Sequence, residues 1–452
     1  MDAHRLSPMF PIPYPLFAAT IASALMLMAN PAGATEPLAV SPQAPAIPQR
    51  TFTITDFGAV GDGATINTAA FRAAIEACAK AGGGRVVVPE GTFLTGPLEL
   101  RSAIDFHLAK GATVRMSERV EDYPAAGRER PGFISATDAH DLQISGEGSI
   151  DGQGESWWAA FRKIKGTPAE KTEPRRPQMI AFTRCERVKL AGFRTINPPN
   201  THCSLRQCKE VTIDGVTMLA PDESPNTDAL NLNVRNAVIR NCHIATGDDN
   251  IVFLASASAR EGTPGIENIL VSNCTLGVGH GLSIGSYTSG GVRKIAVENV
   301  TFDGTAAGIR MKADRDRGGL VEDITFRNIT MKNVKNPIYL TSYYPRTPTR
   351  PDDDKGAAIG SRTPHWQNIT IENGTISDCL NSIIIWGLPE EPFANVTLRN
   401  LSITAEHGAV VYHAKDVRFD HVEMHIGNGA ALTTFNAQVE GLTPVSPSQA
   451  KQ

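Results

Sequence analysis

The chain has little of several features that would place it in other classes of protein. Of its 452 residues only 6% are aromatic, the net charge is -4, and its seven cysteines include no CxxC pair. So small a negative charge gives no reason to expect nucleic acid or an anionic surface as partner. Without a CxxC pair we predict no zinc site. The composition, with 41% hydrophobic and 20% charged residues, is that of a globular protein with a large core.

One apolar stretch stands at the N-terminus, and no later stretch is apolar enough to span a bilayer. Arg5 precedes the apolar residues 16–29, and the small residues Ala-Gly-Ala follow at 32–34. This order is typical of an export signal with its cleavage site. We therefore predict a signal peptide over residues 1–34 and an exported protein, periplasmic or secreted. A membrane anchor is the alternative, although the stretch is shorter than the ~20 residues that span a bilayer.

Composition also divides the rest of the chain. Residues 35–50 are rich in proline and polar residues, which predicts an extended linker. We predict a single folded domain over residues 51–435 and a flexible tail over residues 436–452.

The cysteine count is odd, so at least one thiol is expected to be unpaired within the chain. Cys203 and Cys208 are near enough in sequence for a local disulfide. Two thiols buried in a core are the equally weighted alternative.

A short phrase of alternating polar and aliphatic residues recurs along the chain. Its copies begin at His140, Glu186, Lys209, Arg235, Glu267, Arg293, Glu322, Gln367, Ala394 and Lys415. Most copies are 21 to 32 residues apart, and two intervals of 46 and 45 residues leave room for an insertion or a second turn. Alternation indicates strands, and a repeat of this length indicates a solenoid or a propeller. A propeller blade needs about 40 residues, so the shorter and variable period favours an all-β, single-stranded parallel β-helix.

A solenoid of this kind has open ends that invite aggregation unless they are covered. Residues 67–84 carry apolar side chains at helical spacing, from Ala70 and Phe71 to Cys78, and end in glycines. We predict an amphipathic helix there that caps the N-terminal end of the stack.

A second aliphatic strand follows each of the later phrases, and these strands suggest a common register. We align them on their first large aliphatic residue, here called the anchor. The anchors are Leu230, Ile251, Leu282, Ile309, Ile338, Ile383 and Val410. Asp228, Asp249 and His280 then fall two positions before an anchor on three successive coils. Asp248 falls three positions before its anchor, while Arg310 and Lys312 fall one and three positions after the next.

Equal register in a β-helix means one column, so these six residues are expected to form one cluster. Any one of them alone could be a turn residue or part of a solvated strand face. Together, several carboxylates without a nucleophilic Ser or Cys suit acid/base hydrolysis of a glycosidic bond. The adjacent Arg310 and Lys312 could hold a carboxylate of the substrate, which points to a polymer of uronic acid.

Four short motifs in this region resemble those of the polygalacturonases, a family of pectin-degrading glycoside hydrolases. They are NTD (226–228), GDD (247–249), GHG (279–281) and RMK (310–312), in the family's order and with similar separations. The segments that begin at Asp56 and Ile150 are also similar to this family, so the resemblance covers roughly residues 51–430.

The resemblance implies a right-handed β-helix that hydrolyses α-1,4 linkages between galacturonic acids with inversion and without a metal or other cofactor. It implies that Asp248 is the general acid and that Asp228 and Asp249 position and activate water. It gives His280 the role of tuning the proton balance. Substrate binding would involve Asn226, Arg310, Lys312 and a tyrosine of the next coil, either Tyr343 or Tyr344. Counting from the anchor Ile338 favours Tyr344.

Several other functions stay open. Carboxylates one coil apart are closer than the ~6.5 to 9.5 Å usual for inversion. The substrate could be a decorated backbone, xylogalacturonan or rhamnogalacturonan, and His280 argues against the latter. A calcium-dependent lyase and a non-catalytic carbohydrate-binding β-helix are two further candidate functions.

We expect a monomer without a nucleic-acid partner. Two stretches, 255–265 and the basic 162–177, either line the groove or are solvated loops.

Overall fold

The computed structural model describes residues 38–256 and 265–442. The predicted signal peptide, the last ten residues of the predicted tail and most of the loop 255–265 lie outside the described residues. In the part of the chain that is described, no helix is both long and apolar enough to cross a membrane.

The described chain consists mainly of short strands with a few helices. The first ten strands are β1 (Thr51–Thr53), β2 (Asp62–Ile66), β3 (Gly84–Val88), β4 (Gly91–Thr95), β5 (Leu98–Glu99), β6 (Ile104–Leu108), β7 (Ala112–Met116), β8 (Ile134–Thr137), β9 (His140–Gly146) and β10 (Ser149–Asp151). The next nine are β11 (Ile180–Thr183), β12 (Glu186–Ala191), β13 (Arg194–Ile196), β14 (Cys203–Asp214), β15 (Thr217–Leu219), β16 (Leu230–Arg240), β17 (His243–Ala245), β18 (Ile251–Phe253) and β19 (Ile266–Ser272). The last nine are β20 (Thr275–Leu276), β21 (Leu282–Ile284), β22 (Val292–Asp303), β23 (Ala307–Lys312), β24 (Leu320–Lys332), β25 (Asn336–Thr341), β26 (His365–Asn381), β27 (Ile383–Trp386) and β28 (Phe393–Glu440). The helices are α1 (Thr68–Lys80), α2 (Glu155–Ile164) and α3 (Ala169–Thr172), with 3-10 turns at Ile54–Phe57 and Val120–Asp122.

The strands stack in parallel, each on its counterpart one coil away, which confirms the predicted parallel β-helix. One stack, here called the site face, runs through β5, β8, β11, the first part of β14 and of β16, and then β18, β21, β23, β25 and β27. The recurring phrases form a neighbouring stack. Their first nine starting residues, from His140 to Ala394, pair with one another in register.

The anchors of the site face build the core of the coil. Leu230, Ile251, Leu282, Ile309, Ile338 and Ile383 pair in register, and all six are completely buried. Fully burying a side chain of this size stabilises the folded state by about 1.5–3 kcal/mol. The prediction of the seventh anchor, Val410, is wrong by one residue. Val410 pairs with Ile384, so Ala409 occupies the anchor position and is buried there.

The predicted helix is present as α1, and its buried residues are Ala70, Phe71, Ala74, Ile75 and Cys78. It begins at Thr68 and packs against β1, β3, β4, β5 and β6. The side chain of Asn67, just before the helix, bonds the carbonyls of Val60 and Thr65. That this helix caps the end of the stack remains a prediction.

The segments at the two ends of the β-helix have defined contacts. Residues 38–50 contain no helix or strand, and the amide of Ala46 donates to Asp141 at 2.8 Å. Strand β28 continues to Glu440, so the predicted boundary after residue 435 lies within a strand.

All seven cysteines are buried free thiols, so the disulfide between Cys203 and Cys208 is absent and the alternative of buried thiols holds.

Candidate active site

The acids of the candidate site occupy the turns that lead into successive strands of the site face. Asp228 precedes β16, Asp248 and Asp249 precede β18, and His280 precedes β21. Backbone hydrogen bonds join these turns: Ala229 N donates to Asp249 O at 3.0 Å, and His280 N donates to Asp248 O at 2.9 Å. The register expected from the anchors therefore brings the turns together.

Asp249 lies at the centre of the cluster and is almost completely buried. Its Oδ2 accepts a hydrogen bond from Lys312 Nζ at 2.7 Å, and its Oδ1 accepts one from Ser283 Oγ at 2.7 Å. Arg310 Nη1 lies 3.4 Å from the same Oδ1. The carboxylate is therefore held in one orientation by two cations and a hydroxyl. No sequence pattern indicated Ser283, which is completely buried one position after the anchor Leu282.

Asp248 faces His280. The two residues share a contact of 2.9 Å between Nδ1 and Oδ1, and Asn226 Nδ2 lies 3.4 Å from the other carboxylate oxygen. Burial raises the pKa of Asp248, but the hydrogen bond and charge of His280 and the charge of Lys312 lower it more. The net pKa lies below the usual value, so the environment of Asp248 favours the ionised form.

Asp228 has the opposite environment. Burial, followed by the charges of Asp248 and Asp249, raises its pKa well above the usual value, although Lys312 opposes this. Asn231 Nδ2 lies 3.5 Å from its Oδ2. The site therefore favours a proton on Asp228 and a charge on Asp248, a separation typical of acid/base sites.

Three of these residues could also hold a metal ion. One donor atom each from Asp248, Asp249 and His280 lies within 4.8 Å of the others, and no other group of this kind occurs among the described residues. Both oxygens of Asp249, however, already accept hydrogen bonds from Lys312 and Ser283. A cation bound there would have to compete with the Lys312 ammonium.

The two candidate tyrosines have different surroundings. The ring centroid of Tyr344 lies 5.4 Å from Lys312 Nζ, at the edge of the cluster. The hydroxyl of Tyr343 instead donates to Asp354 at 2.9 Å, and its buried ring packs edge-on against Trp386. The structure thus brings Tyr344 to the cluster and keeps Tyr343 away from it.

A further arginine reaches the site from the basic stretch 162–177. Arg176 donates to the carbonyl of Pro225 at 2.8 Å and to Asn226 Oδ1 at 2.9 Å. Burial lowers its pKa to about 10, against the opposing effect of the nearby Asp228 and Asp248. This part of the stretch therefore contacts the candidate site. Arg176 could not be placed from the sequence because it lies between the recurring phrases and has no register of its own.

Comparison with known proteins agrees with this geometry. The profile described as Glycosyl hydrolases family 28 matches residues 78–423. The chain is 30% identical over 335 residues to a protein named endo-polygalacturonase from Pectobacterium carotovorum subsp. carotovorum, a match that covers 70% of this chain and 78% of that protein. It is 36% identical over 301 residues to a probable polygalacturonase of Arabidopsis thaliana, covering 64% of this chain and 60% of the relative's length.

A solved structure shares the fold. The exopolygalacturonase from Thermotoga maritima superposes with a TM-score of 0.72 at 27% sequence identity, covering 85% of this chain and 94% of that one. Because the family profile matches most of the chain and the site occupies the matched part, the chain belongs to the family 28 glycosyl hydrolases.

Proposed function

We propose that the chain is a polygalacturonase that hydrolyses α-1,4 linkages between galacturonic acid residues of pectin or polygalacturonate, with inversion. The observation that carries the proposal is the contact of Asp249 with Lys312 and Arg310, one coil from Asp228 and beside the Asp248–His280 pair. Such a site offers carboxylates for acid/base catalysis together with cations for a substrate carboxylate. The names of the two relatives and of the solved structure agree with this activity.

In the proposed reaction Asp248 gives its proton to the oxygen of the leaving sugar as the glycosidic bond breaks. Asp228 and Asp249 hold the attacking water, and Asp249 accepts its proton while the hydroxyl bonds to the sugar carbon, because the site already favours a proton on Asp228. Asp248 suits the acid role because it is the more accessible acid of the adjacent pair: 23% of its side chain is exposed, against 7% for Asp249.

The pKa of Asp248 must rise before it can act as an acid, because its surroundings favour the ionised form. Lys312 is one of the charges that lower the pKa of both Asp248 and Asp228. A substrate carboxylate bound by Lys312 and Arg310 would offset that positive charge and raise the pKa of the acids beside it. We propose that binding of an anionic sugar in this way loads the proton on Asp248. A neutral sugar would lack this effect.

The carboxyl groups of Asp248 and Asp249 are closer together than those of most inverting glycosidases. Donor atoms of Asp248 and Asp249 lie within 4.8 Å of each other, whereas two carboxyl groups in inverting enzymes are usually ~6.5 to 9.5 Å apart. We propose that the third acid, Asp228, binds the attacking water together with Asp249, so that the water does not have to fit between Asp248 and Asp249.

The test is proton NMR of the first products formed from polygalacturonate. Release of the β-anomer supports inversion, and release of the α-anomer overturns it. Products that absorb in the ultraviolet would indicate elimination by a lyase. Faster cleavage of xylogalacturonan or rhamnogalacturonan than of polygalacturonate would replace the proposed substrate.

We also propose that the protein acts outside the cytoplasm as a monomer. The predicted signal and the polymeric substrate support export. Expression with the native N-terminus should give the mature protein in the periplasm or medium, with the mass of one chain by light scattering. Retention in the cytoplasm or a dimeric mass would contradict this proposal.

A further inference from the structure

A cavity of about 660 Å³ opens beside the candidate active site, and we call it the upstream cavity. Its walls come from helix α2, the residues after α3 and the turns that precede β8, β11, β14 and β16. Asn226 and Asn231, next to the catalytic acids, belong to its lining. Its volume is in the range of cavities that bind small organic ligands.

The cavity continues the row of catalytic turns along the site face. Ile134, Ile180 and Cys203 pair in register with the anchor Leu230. Two positions before them stand Gly132, Gln178 and Thr201, which line the cavity. Backbone bonds link this row to the acids: Met179 N donates to Thr201 O at 3.0 Å, and His202 N donates to Asp228 O at 2.8 Å. A chain lying along the active site would therefore enter this cavity.

The cavity has a positive charge although the protein as a whole has a net charge of -4. Five arginines and three glutamates line it: Arg128, Arg130, Arg175, Arg176, Arg206, Glu129, Glu170 and Glu173. The excess of arginine favours an anionic ligand.

Four of the arginines are engaged by the protein itself. Arg128 donates to the carbonyl of Glu170, Arg130 to that of Tyr123, Arg176 to those of Pro199 and Pro225, and Arg175 pairs with Glu129. Arg206 is exposed to the cavity, and in the described part of the chain its guanidinium has neither an acid nor a carbonyl partner. Arg206 is therefore the lining arginine that, in the described part of the chain, keeps all five N–H donors free for a ligand.

The position of Arg206 on the β-helix corresponds to that of Lys312. Arg206 directly follows Leu205, and Lys312 directly follows Met311. Both Leu205 and Met311 belong to one column of paired strand residues: Leu205, Leu232, Phe253, Ile284 and Met311. Arg206 thus lies four coils upstream of Lys312, roughly 19 Å at about 4.8 Å per coil. The site face therefore carries Lys312 beside the acids and a second cation, Arg206, farther along the β-helix.

Helix α2 supplies an apolar part of the lining. Trp157, Phe161 and Ile164 of α2 line the cavity, and the guanidinium of Arg176 lies 4.2 Å from the Phe161 ring centroid. Trp158 Nε1 donates to Pro198 O at 2.9 Å and ties α2 to the coil. A cavity lined by both apolar side chains and a free guanidinium is suited to a sugar ring that carries a carboxylate.

We propose that the upstream cavity is a subsite for an additional uronate residue of the substrate chain, whose carboxylate Arg206 binds. This inference rests on the proposed function, because it assigns one part of the polymer to the cavity. It predicts that the enzyme gains affinity from substrate long enough to reach one to two coils beyond the acids, because β14 with Arg206 is one coil from β16 and two coils from β18.

The test compares kcat/KM for oligogalacturonates of increasing length in the wild type, Arg206→Ala and Arg206→Lys. Arg206→Ala should lower the ratio of kcat/KM for long over short substrates by about tenfold, mainly through KM, because a charge-assisted contact is lost. Arg206→Lys should recover part of the ratio. The control Lys209→Ala alters an exposed cation of the same strand whose partner is Glu186, and it should keep the wild-type ratio. An Arg206→Ala variant with the wild-type ratio would overturn the proposal.

Binding measured without turnover separates this proposal from the proposed function. Calorimetric titration of the wild type and Arg206→Ala with long oligogalacturonate should show at least tenfold weaker binding to the variant, even if the wild type hydrolyses no uronate polymer. Methyl-esterified oligomer should bind both proteins alike. If inorganic phosphate binds as tightly as the oligomer, the cavity is a general anion site and the assignment to a uronate fails.

Discussion

Lys312 Nζ lies 2.7 Å from Asp249 Oδ2, and only 5% and 7% of the two side chains are exposed. An ion pair so far removed from water is costly to break, because the remaining charge stays buried without its partner. The pair therefore links the stability of the β-helix to the chemistry of the site.

Replacing Lys312 by Met should destabilise the fold by about 3–5 kcal/mol, because Asp249 loses its ammonium partner. The free energy of unfolding from urea titration measures the effect. The matched control is Arg240→Met, which breaks the more exposed pair with Asp214 and should cost no more than about 1 kcal/mol. Equal losses in the two variants would contradict the claim, and the double variant Lys312→Met/Asp249→Asn should recover part of the stability.

Replacing Asp228 by Asn should abolish activity and stabilise the fold by about 0.5–2 kcal/mol at neutral pH. The raised pKa of Asp228 means that the folded state binds the proton more tightly than the unfolded state. The wild type therefore loses stability as pH rises from the unfolded pKa, near 3.8, through the folded one. Urea titrations across this pH range should show a flatter dependence in the variant. The control Asp214→Asn removes an acid whose pKa is lowered by Arg240 and Asn241, although burial opposes this, and should destabilise instead.

Replacing His280 by Ala should raise the pKa of Asp248, because the hydrogen bond and charge of the imidazole favour the ionised carboxylate. The carboxyl carbon shift of Asp248, followed by NMR as a function of pH, reports this directly. His243→Ala, on an exposed position of β17, serves as control and should leave the titration in place. A titration of Asp248 that does not move in the His280 variant would refute the coupling.

The neighbouring tyrosines should respond differently to substitution. Tyr344→Ala should raise KM several-fold, because a cation–aromatic contact of about 0.5–1 kcal/mol and an aromatic surface at the site are lost. Tyr343→Phe should lower the free energy of unfolding by about 1 kcal/mol through loss of its bond to Asp354, with the wild-type KM. Reversed effects in steady-state kinetics and urea titration would show that Tyr343 belongs to the site.

The sequence predicted the column of the site because large aliphatic residues recur at one position of each coil. This rule placed Asp228, Asp249 and His280 in register, and it failed only where the anchor is small. At Ala409 the first large aliphatic residue came one position later, which shifted the alignment.

The rule could not find residues whose role depends on the surrounding structure. Ser283 resembles any serine of a strand until its neighbour Asp249 is known. Arg176 and helix α2, which gives the upstream cavity its apolar side chains, belong to an insertion between two phrases, where no repeat defines position. Counting from the anchor Ile338 favoured Tyr344 over the adjacent Tyr343, and the directions of the two side chains agree with that count.

The most direct test of the catalytic cluster is the initial rate at which reducing ends appear in polygalacturonate, measured for the wild type and Asp248→Asn. Circular dichroism should first show that both proteins are folded. Removing a general acid should lower kcat by about 10²–10⁴-fold. Wild-type activity in the folded variant, or no release of reducing ends by the wild type, would contradict the central claim that this cluster of acids hydrolyses the polymer.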